Sequence, residues 1–274
     1  MIASQVPRWH VAVRCSGRAS LLNLSWDSLY LKLFGTARLE DGPTIYVSPD
    51  EHEEYANSFK DVAAGGIGPG GQVCAMLRRM SSGNWLIVLD DDIKKIRYRG
   101  KPVNAETLTG LLRQGMRTTG LLAFAAKPES AKSKWGSSPP GLFLREAELT
   151  GGLFALRVPP TMSGAEFADR VETRHGHIAD DLERSLRVYN EGGGGSVGVF
   201  HELTVEKWHV PGLWKKGRGG VAALYPTADE FKQAKERHLD ALCEEFPEIE
   251  RVAISRPVDE KCQSGWRWGA TRGW

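Results

Sequence analysis

The hydrophobic and polar residues of this chain form two alternating kinds of segment. Short apolar runs have the length of β-strands, and longer segments repeat their apolar residues with helical spacing. The predicted strands are residues 9–14, 44–47, 85–89, 120–126, 142–144, 152–158 and 196–200. The predicted helices are residues 19–34, 49–59, 73–80, 104–119, 180–189 and 226–246. Strands that alternate with helices in this way predict an α/β protein.

Two of the predicted helices begin with a possible capping box. Ser48 is followed by Glu51, and Thr227 is followed by Glu230. In a capping box the first side chain accepts from the amide three residues later, and the Glu side chain accepts from the amide of the cap. We therefore expect these helices to begin near residues 49 and 228.

The apolar run 85–89 ends abruptly at three aspartates, Asp90, Asp91 and Asp92. Adjacent ionised carboxylates repel one another unless a cation or a proton lies between them. Carboxylate oxygens suit Mg²⁺ or Mn²⁺, which often also hold substrate phosphates. The alternative is an acidic turn or a helix start, where Asp is a preferred cap.

The first predicted strand leads into a short turn that carries Arg14, Ser16 and Arg18. A strand, a turn of small residues and a helix form the opening of many nucleotide-binding units, in which turn amides receive phosphate. The segment is neither a P-loop nor GxGxxG. The two arginines are suited to a diphosphate or a base, and the alternative is that they are ordinary surface residues.

A glycine-dense stretch, residues 65–72, precedes the acidic strand and includes Gly66, Ile67, Gly68 and Gln72. So many glycines permit a ligand to approach the backbone closely, beside the start of the next helix. A flexible linker is the alternative interpretation.

A second acidic pair, Asp180 and Asp181, begins the helix predicted for residues 180–189. Acids in a first turn interact favourably with the helix dipole, which explains them without a catalytic role. A partly desolvated carboxylate at this place is also suited to act as a general base.

Further candidates are single histidines and basic loops. His201 lies at the end of a predicted strand, where it is either a metal ligand or a structural residue. The basic candidates for phosphate contacts lie in two loops, at Lys132, Lys134, Lys215, Lys216 and Arg218. The C-terminal tail interleaves Trp with Arg, which is typical either of a disordered terminus or of a base-stacking surface.

Composition restricts the classes of protein that remain. The 274 residues include 36 Lys and Arg against 34 Asp and Glu, so the net charge of +2 does not by itself indicate a nucleic-acid partner. The cysteines, Cys15, Cys74, Cys243 and Cys262, form no CxxC pair and are interpreted as reduced thiols. No apolar run is long enough to span a membrane, so we expect a cytoplasmic protein without a membrane partner.

Five segments together resemble a known family. They are VAVRCSGR at 11–18, TIYVSPDEHEEY at 44–55, GGIGPGGQ at 65–72, LIVLDDDI at 86–93 and ADDLERSLRV at 179–188. In this order they resemble glycosyltransferases of the GT-A type, and more closely the TET-associated glycosyltransferases encoded by bacteriophages. The chain departs from that pattern where Asp180-Asp181-Leu182-Glu183 stands in place of Glu-Asp-x-Asp, and where Gly71-Gln72 stands in place of Arg-Asn.

The resemblance implies a single Rossmann-type GT-A-like domain with a mixed, mostly parallel central sheet flanked by helices. Residues 1–225 would form the catalytic domain, and residues 226–274 a C-terminal helix and tail packed on it or extending from it. The resemblance also implies a nucleotide-sugar donor, expected to be a UDP-sugar, and Mn²⁺ or Mg²⁺ as the metal.

The resemblance also assigns roles to residues. Asp90 and Asp92 would hold the metal with His201 or His209, and Asp91 would help to position the donor. The nucleotide would contact Arg14, Ser16 and Arg18, and the donor sugar would contact residues 66–72. Asp181 or Asp180 would be the base of an inverting transfer.

The implied acceptor is the hydroxyl of a 5-hydroxymethylpyrimidine in DNA, such as 5-hydroxymethylcytosine, in a single strand or flipped out of the duplex. In that case the protein acts in the host cytoplasm, and the basic loops contact DNA. Three alternatives remain open from the residues: a GT-A enzyme with a protein or glycan acceptor, a metal-dependent phosphotransferase or nuclease, and a non-catalytic DNA-binding module.

Overall fold

The structure, a computed structural model, describes most of the chain. The described residues are 8–34, 43–129, 141–144, 149, 152–194, 196–208, 225, 227–247, 249–253 and 264–268. The strands are β1 Trp9–Arg14, β2 Thr44–Val47, β3 Val62–Ala64, β4 Trp85–Asp90, β5 Ile93–Tyr98, β6 Lys101–Pro102, β7 Ala123–Pro128, β8 Leu142–Leu144, β9 Leu153–Arg157, β10 Val197–Lys207, β11 Ile249–Ala253 and β12 Ser264–Trp268. The helices are α1 Ala19–Ser25, α2 Leu31–Phe34, α3 His52–Ala56, α4 Gly68–Arg78, α5 Ala105–Arg117, α6 Gly164–Arg170, α7 Asp180–Glu191 and α8 Ala228–Glu245.

The large sheet is mixed, with strand order β3-β2-β1-β4-β9-β7-β10-β5-β6, and β8 pairs with β10. The strands from β3 to β4 are parallel, as are β7 and β10, whereas β9, β5 and β8 run antiparallel to their neighbours. The mixed sheet predicted from the sequence is confirmed, and antiparallel pairing is more frequent than expected. Because the chain leaves β1 towards β2 on one side and β4 lies on the other, the strand order reverses between β1 and β4.

Strand β4 is buried along its whole length and divides two hydrophobic layers. Trp85, Ile87 and Leu89 pack with one cluster, which also contains residues of α1, α2 and α5. Leu86 and Val88 pack with the other, which contains residues of α4, α6 and α7. Successive side chains of a strand point to opposite faces, so a strand covered on both faces is apolar throughout. This explains why the unbroken run 85–89 predicts a central strand.

A third, smaller cluster joins the C-terminal helix to α7. Leu182 and Leu186 of α7 pack with Leu239, Leu242 and Phe246 at the other side of the contact. Beyond α8, β11 and β12 form a separate antiparallel pair, in which Arg251 lies opposite Trp266. Part of the Arg/Trp tail is therefore a strand. The division of the chain at residue 225 stays a prediction.

Several element boundaries differ from the prediction. Helix α4 begins at Gly68 rather than at residue 73, so the glycine stretch forms its first turn. The segment after Ser48 begins with a 3-10 turn, Pro49–Glu51, and Ser48 makes no side-chain cap hydrogen bond. Glu51 instead accepts from the backbone amide of Gly17. The predicted box at Ser48 is thus wrong, because the amide of Glu51 donates to the backbone carbonyl of Ser48 and not to its side chain.

The opposite end of the chain behaves as predicted. Thr227 accepts from the amide of Glu230, and the Glu230 side chain accepts from the amide of Thr227, so the second capping box is confirmed. Strand β10, by contrast, continues to Lys207, well beyond the predicted end near His201. No helix formed by the described residues is both long and apolar enough to cross a membrane.

Candidate functional site

The candidate site lies at the reversal of strand order between β1 and β4. Arg14 and Asp90, the last residues of these strands, are register partners. The Arg14 guanidinium donates to Asp90 through a short, buried contact. Ligands of open α/β sheets bind in the crevice at such a point, outside the carboxyl ends of the strands.

Arg14 also reaches the second acidic pair. Its Nη1 lies 3.6 Å from Asp180 Oδ2, and its Nη2 lies 3.4 Å from Asp181 Oδ1. Arg184, one turn along α7, contacts Asp180 at 2.8 Å and Asp181 at 3.2 Å. The structure therefore brings together Asp90 and the helix-start acids, which are far apart in the sequence, through one buried guanidinium.

Arg18 balances the other two aspartates of the triplet. It contacts Asp91 Oδ1 at 2.5 Å and Asp92 Oδ2 at 3.1 Å. Asp91 is fully buried and accepts from the Cys15 thiol at 2.9 Å, and that sulfur lies 2.9 Å from the Tyr55 hydroxyl. Asp91 thus points towards Cys15 in the protein interior. Asp90 and Asp92 instead share a contact with another cation.

That cation is Lys207, at the end of β10. Its Nζ forms a short contact with Asp90 Oδ2 and lies 3.2 Å from Asp92 Oδ1. The backbone amide of Trp208 donates to the carbonyl of Asp92 at 2.8 Å, which fixes the end of β10 beside the triplet. One oxygen of Asp90 and one of Asp92 therefore converge on a single cationic atom.

The surroundings shift the titration of these groups in different directions. Burial by itself would raise the pKa of Asp90, but the charges of Arg14 and Lys207 outweigh it and hold the pKa well below its usual range. Burial raises the pKa of Asp91 to about 6, against the charge of Arg18 and with repulsion from Asp92. Burial and then the charge of Asp180 raise the pKa of Asp181.

The helix-start acids do not act as caps in this structure. The N-cap of α7 is Ala179, without a side-chain cap hydrogen bond, and both Asp180 and Asp181 pair with arginines. The side chain of Asp180 is 7% exposed and that of Asp181 is 22% exposed. Asp181 is therefore the more accessible of the two carboxylates.

The glycine stretch is shaped by its packing against the loop before α7. A Cβ on Gly70 would lie 2.1 Å from Thr173 Oγ1, and one on Gly68, whose φ is +70°, would lie 2.7 Å from the His177 ring. The first turn of α4 can approach this loop only without side chains. Close packing explains these glycines without a ligand, so donor binding there stays a prediction.

The other predicted donor-binding residues lie in different surroundings. Gln72 is buried and donates to the carbonyl of Cys15 at 2.7 Å, which ties α4 to the turn after β1. Ser16 and Gly66 are half-buried, and Ile67 is 71% exposed at the start of α4. Gln72 therefore has a structural role in addition to any contact with a ligand.

The remaining predicted residues fall into two groups. His201 is buried within β10, at the register shift between Phe200 and Thr204, and its role as a metal ligand stays a prediction. The others lie outside the described residues: His209, Lys132, Lys134, Lys215, Lys216 and Arg218.

The residues at the triplet fit a divalent cation. Asp90 Oδ2 and Asp92 Oδ1 already converge on one ammonium, and the buried Asp92 Oδ1 meets it as an ion pair at 3.2 Å without a well-aligned hydrogen bond. Carboxylate oxygens are the ligands that Mg²⁺ and Mn²⁺ prefer. A metal at this point would replace the charge that Lys207 provides.

A second group of possible metal ligands is better explained as an ion-pair network. His175, Glu183 and Glu245 present atoms within 4.8 Å of one another. Arg187, however, contacts Glu183 at 2.6 Å and Glu245 at 2.9 Å. Glu183 also accepts from the amides of Arg174 and His175 and pairs with His238, so its oxygens are occupied. These contacts tie the loop before α7 to α8.

Two cations of the site, Arg184 and Lys207, were not among the residues predicted from the sequence. Arg184 lies three and four residues after the acids of α7, a helical spacing that predicts such pairs. No local spacing predicts a role for Lys207. The predicted strand ended near residue 200, and the partners of Lys207, Asp90 and Asp92, lie more than 100 residues earlier in the chain.

This chain is similar in structure to several solved glycosyltransferases, although it matches no protein family by sequence. No protein-family model matches it, and no curated protein does. The mannosyltransferase PcManGT from Pyrobaculum calidifontis, solved with GDP-Man and Mn²⁺, matches with a TM-score of 0.50 and 16% identity. The match covers 88% of this chain and 65% of the mannosyltransferase, so this chain spans about two thirds of that protein.

Glucosyl-3-phosphoglycerate synthase from Mycobacterium tuberculosis gives similar matches. Its structure with Mg²⁺ and UDP has a TM-score of 0.50 and 12% identity, covering 90% of this chain and 84% of that one. Its structure with phosphoglyceric acid has a TM-score of 0.51 and 12% identity, covering 84% and 80%. This chain has the GT-A fold. The predicted GT-A-like fold class is thereby confirmed, and at these identities the likeness concerns the fold.

Proposed function

We propose that the protein is a metal-dependent glycosyltransferase that uses a nucleotide-sugar donor. The observation that carries this proposal is the meeting of both acidic clusters at Arg14, at the reversal of strand order in a GT-A fold. The similar folds named above belong to enzymes solved with Mn²⁺ or Mg²⁺ and with a nucleotide or nucleotide sugar. A site that binds such a donor needs cations for the diphosphate and a base for the acceptor.

In this proposal Asp90 and Asp92 hold Mn²⁺ or Mg²⁺, with His201 or His209 as the further ligand. When bound, the metal offsets negative charge on the departing nucleoside diphosphate. Arg18 and Ser16, in the turn after β1, contact the nucleotide, and Asp91 holds Arg18 in place through its 2.5 Å contact. Arg14 is also predicted to bind the nucleotide. In the structure its guanidinium pairs with Asp90, Asp180 and Asp181, so its main proposed role is to hold these carboxylates together.

Asp181 is the proposed general base, and the reaction inverts the sugar carbon. It is more exposed than Asp180, so an acceptor hydroxyl has access to it. Its raised pKa lies closer to neutral pH than that of an ordinary carboxylate, which strengthens it as a proton acceptor while it is still ionised. Asp180, held between Arg184 and Arg14, positions this end of α7.

The proposed acceptor is the hydroxyl of a 5-hydroxymethylpyrimidine in DNA. Support for it comes from the five segments that resemble the phage TET-associated enzymes, in the order given above. A hydroxymethyl group on a stacked base is out of reach, so the base must be flipped or the strand single. Lys132, Lys134, Lys215, Lys216 and Arg218 are the proposed contacts to its phosphates.

The test is a transfer assay with a panel of UDP- and GDP-sugars, with Mn²⁺ or with a chelator. Single-stranded and duplex DNA with 5-hydroxymethylcytosine are the acceptors, and unmodified DNA of the same sequence is the control. We expect nucleoside diphosphate release together with a glycosylated nucleoside in the digested DNA, detected by mass spectrometry. An NMR assignment of the new anomeric centre checks the inversion.

Each part of the proposal fails in a recognisable way. Nucleoside diphosphate release that depends on added protein or glycan, with DNA unchanged, would replace the acceptor. Strand cleavage or free phosphate would indicate a nuclease or phosphotransferase. If a folded preparation releases no diphosphate from any donor with any acceptor, the glycosyltransferase assignment is wrong.

A further inference from the structure

Lys207 occupies the point at which the carboxylates of Asp90 and Asp92 converge. Its ammonium contacts Asp90 Oδ2 and lies 3.2 Å from Asp92 Oδ1, whereas Arg14 and Arg18 take the other oxygens of these residues. The three cations therefore divide the triplet between them, and Lys207 is the one that bridges Asp90 and Asp92.

The backbone places Lys207 there with little freedom. The pairing of β10 with β5 shifts register between Glu206 and Lys207, which then lies opposite Ile93. The next residue, Trp208, donates its amide to the carbonyl of Asp92. The anchoring bonds belong to the backbone, so the long side chain can change rotamer while the strand end stays in position.

The lysine is charged in this position. Its Nζ lies between one oxygen of Asp90 and one of Asp92, and two neighbouring carboxylates favour the charged ammonium. A second cation at the same oxygens would face strong repulsion from the ammonium, because like charges at such a short distance repel strongly in a partly buried site. The ammonium and a divalent metal therefore cannot share the two oxygens.

The Lys207 side chain can also move from the carboxylates towards solvent. It is 39% exposed, more than the carboxylates that it contacts, and its four-carbon stem is flexible. Its removal leaves each carboxylate with a partner, since Arg14 still pairs with Asp90 and Arg18 with Asp92. The pair can therefore exchange this cation for another without exposing an uncompensated buried charge.

We propose that Lys207 is a resident counter-ion of Asp90 and Asp92, which a divalent metal must displace, so that this lysine sets the metal affinity of the site. The inference rests on the proposed function only in taking these two residues as metal ligands. Without metal, the lysine keeps the two carboxylates together. With metal, its ammonium is released to the solvent-exposed side of the site.

The test is the affinity for Mn²⁺, measured by electron paramagnetic resonance of the free ion and by calorimetry. Lys207→Met removes the charge while keeping a side chain of similar length. We expect this variant to bind Mn²⁺ about tenfold more tightly than the wild type, because the metal no longer has to break the ion pair with the lysine. Lys207→Arg keeps a cation and should stay near the wild type. Lys101→Met is the matched control, because Lys101 is exposed on β6.

The second measurement uses the wild type, so it does not depend on the folding of a variant. Reductive methylation followed by mass spectrometry reports the reactivity of each lysine. Without metal, the amine of Lys207 is masked by its carboxylates, and we expect Mn²⁺ to increase its labelling relative to Lys101.

The outcomes separate this inference from the proposed function. Equal Mn²⁺ affinity in the wild type and in Lys207→Met, or weaker binding in the variant, overturns the counter-ion role while metal binding stands. Labelling of Lys207 that is unchanged by bound Mn²⁺ overturns it as well. If neither protein binds Mn²⁺, both the inference and the metal site fail, and the transfer assay with a chelator then decides whether the glycosyltransferase stands without metal.

Discussion

The strand-end aspartates and the helix-start aspartates are balanced by cations of different origin. Asp90, Asp91 and Asp92 pair with residues from β1, the turn after β1 and β10. Asp180 and Asp181 pair with Arg184 of their own helix and, among the residues that the structure describes, with Arg14 from another element. The first cluster depends on the assembled sheet, and the second largely on the spacing within one helix.

This difference also separates the two chemical tasks that we propose. At the strand end the cations outweigh burial for Asp90, which favours its ionised form and suits a ligand of a metal. At the helix start burial and the neighbouring acid outweigh the arginines for Asp181, whose pKa rises. A metal ligand must stay deprotonated, whereas a base works best with a pKa closer to the working pH.

The largest expected effect separates the tasks directly. Asp181→Asn should lower sugar transfer about 10²–10⁴-fold, the usual contribution of a general base, because the amide cannot accept the acceptor proton. Binding of Mn²⁺ and UDP, followed by calorimetry, should be unchanged. Asp92→Asn is the matched comparison and should weaken Mn²⁺ binding. Full transfer by Asp181→Asn would show that this carboxylate is not the base.

The next effect concerns the stability of the helix-start cluster. Arg184→Met should lower the free energy of unfolding by about 3–5 kcal/mol, because it leaves the buried Asp180 short of its nearest cation. Urea unfolding followed by circular dichroism measures the loss. The control is Arg170→Met, whose pair with Glu191 is exposed and should contribute at most about 1 kcal/mol. Equal losses in the two variants would contradict the importance of the buried pair.

A pH effect is expected from Glu183, on the same helix. Burial alone would raise its pKa, but hydrogen bonds from His238, the Arg174 amide and Arg187 lower it to about 2. An acid whose pKa is lower in the folded state stabilises the fold above its unfolded pKa, and this stabilisation is lost as the pH falls towards the folded pKa.

The stability advantage of the wild type over Glu183→Gln should therefore narrow by about 2 kcal/mol between about pH 6 and about pH 3. Urea unfolding at several pH values measures both proteins. Curves that stay parallel over this range would show that the Glu183 carboxylate gains nothing from its partners when it ionises.

The smallest expected effect is the loss of the N-cap of α5, a helix start that, unlike that of α7, is capped by a side chain. Asn104 is the N-cap of α5, and its side chain accepts from the amide of Thr107 at 2.8 Å. Asn104→Ala should cost about 1 kcal/mol of unfolding free energy, typical of a lost cap. Sugar transfer by the folded variant should be unchanged. A large loss of transfer would mean that α5 contributes to the site.

The sequence by itself determined the parts of the molecule that depend on local pattern. The apolar run 85–89 predicts a central strand, because a strand covered on both faces has no polar position. Thr227 and Glu230 predict the start of α8, since a capping box needs only a spacing of three residues. The two acidic clusters were found for the same reason, as short motifs at the ends of predicted elements.

Only the tertiary structure decided how these motifs meet. The strand order places Arg14 beside Asp90 and within reach of Asp180 and Asp181, a pairing between distant segments that no local period encodes. In the structure β10 also extends beyond its predicted end, so that Lys207 lies beside Asp90 and Asp92. Local periodicity fixes which face of an element is buried, but only packing between distant elements fixes which charges become partners.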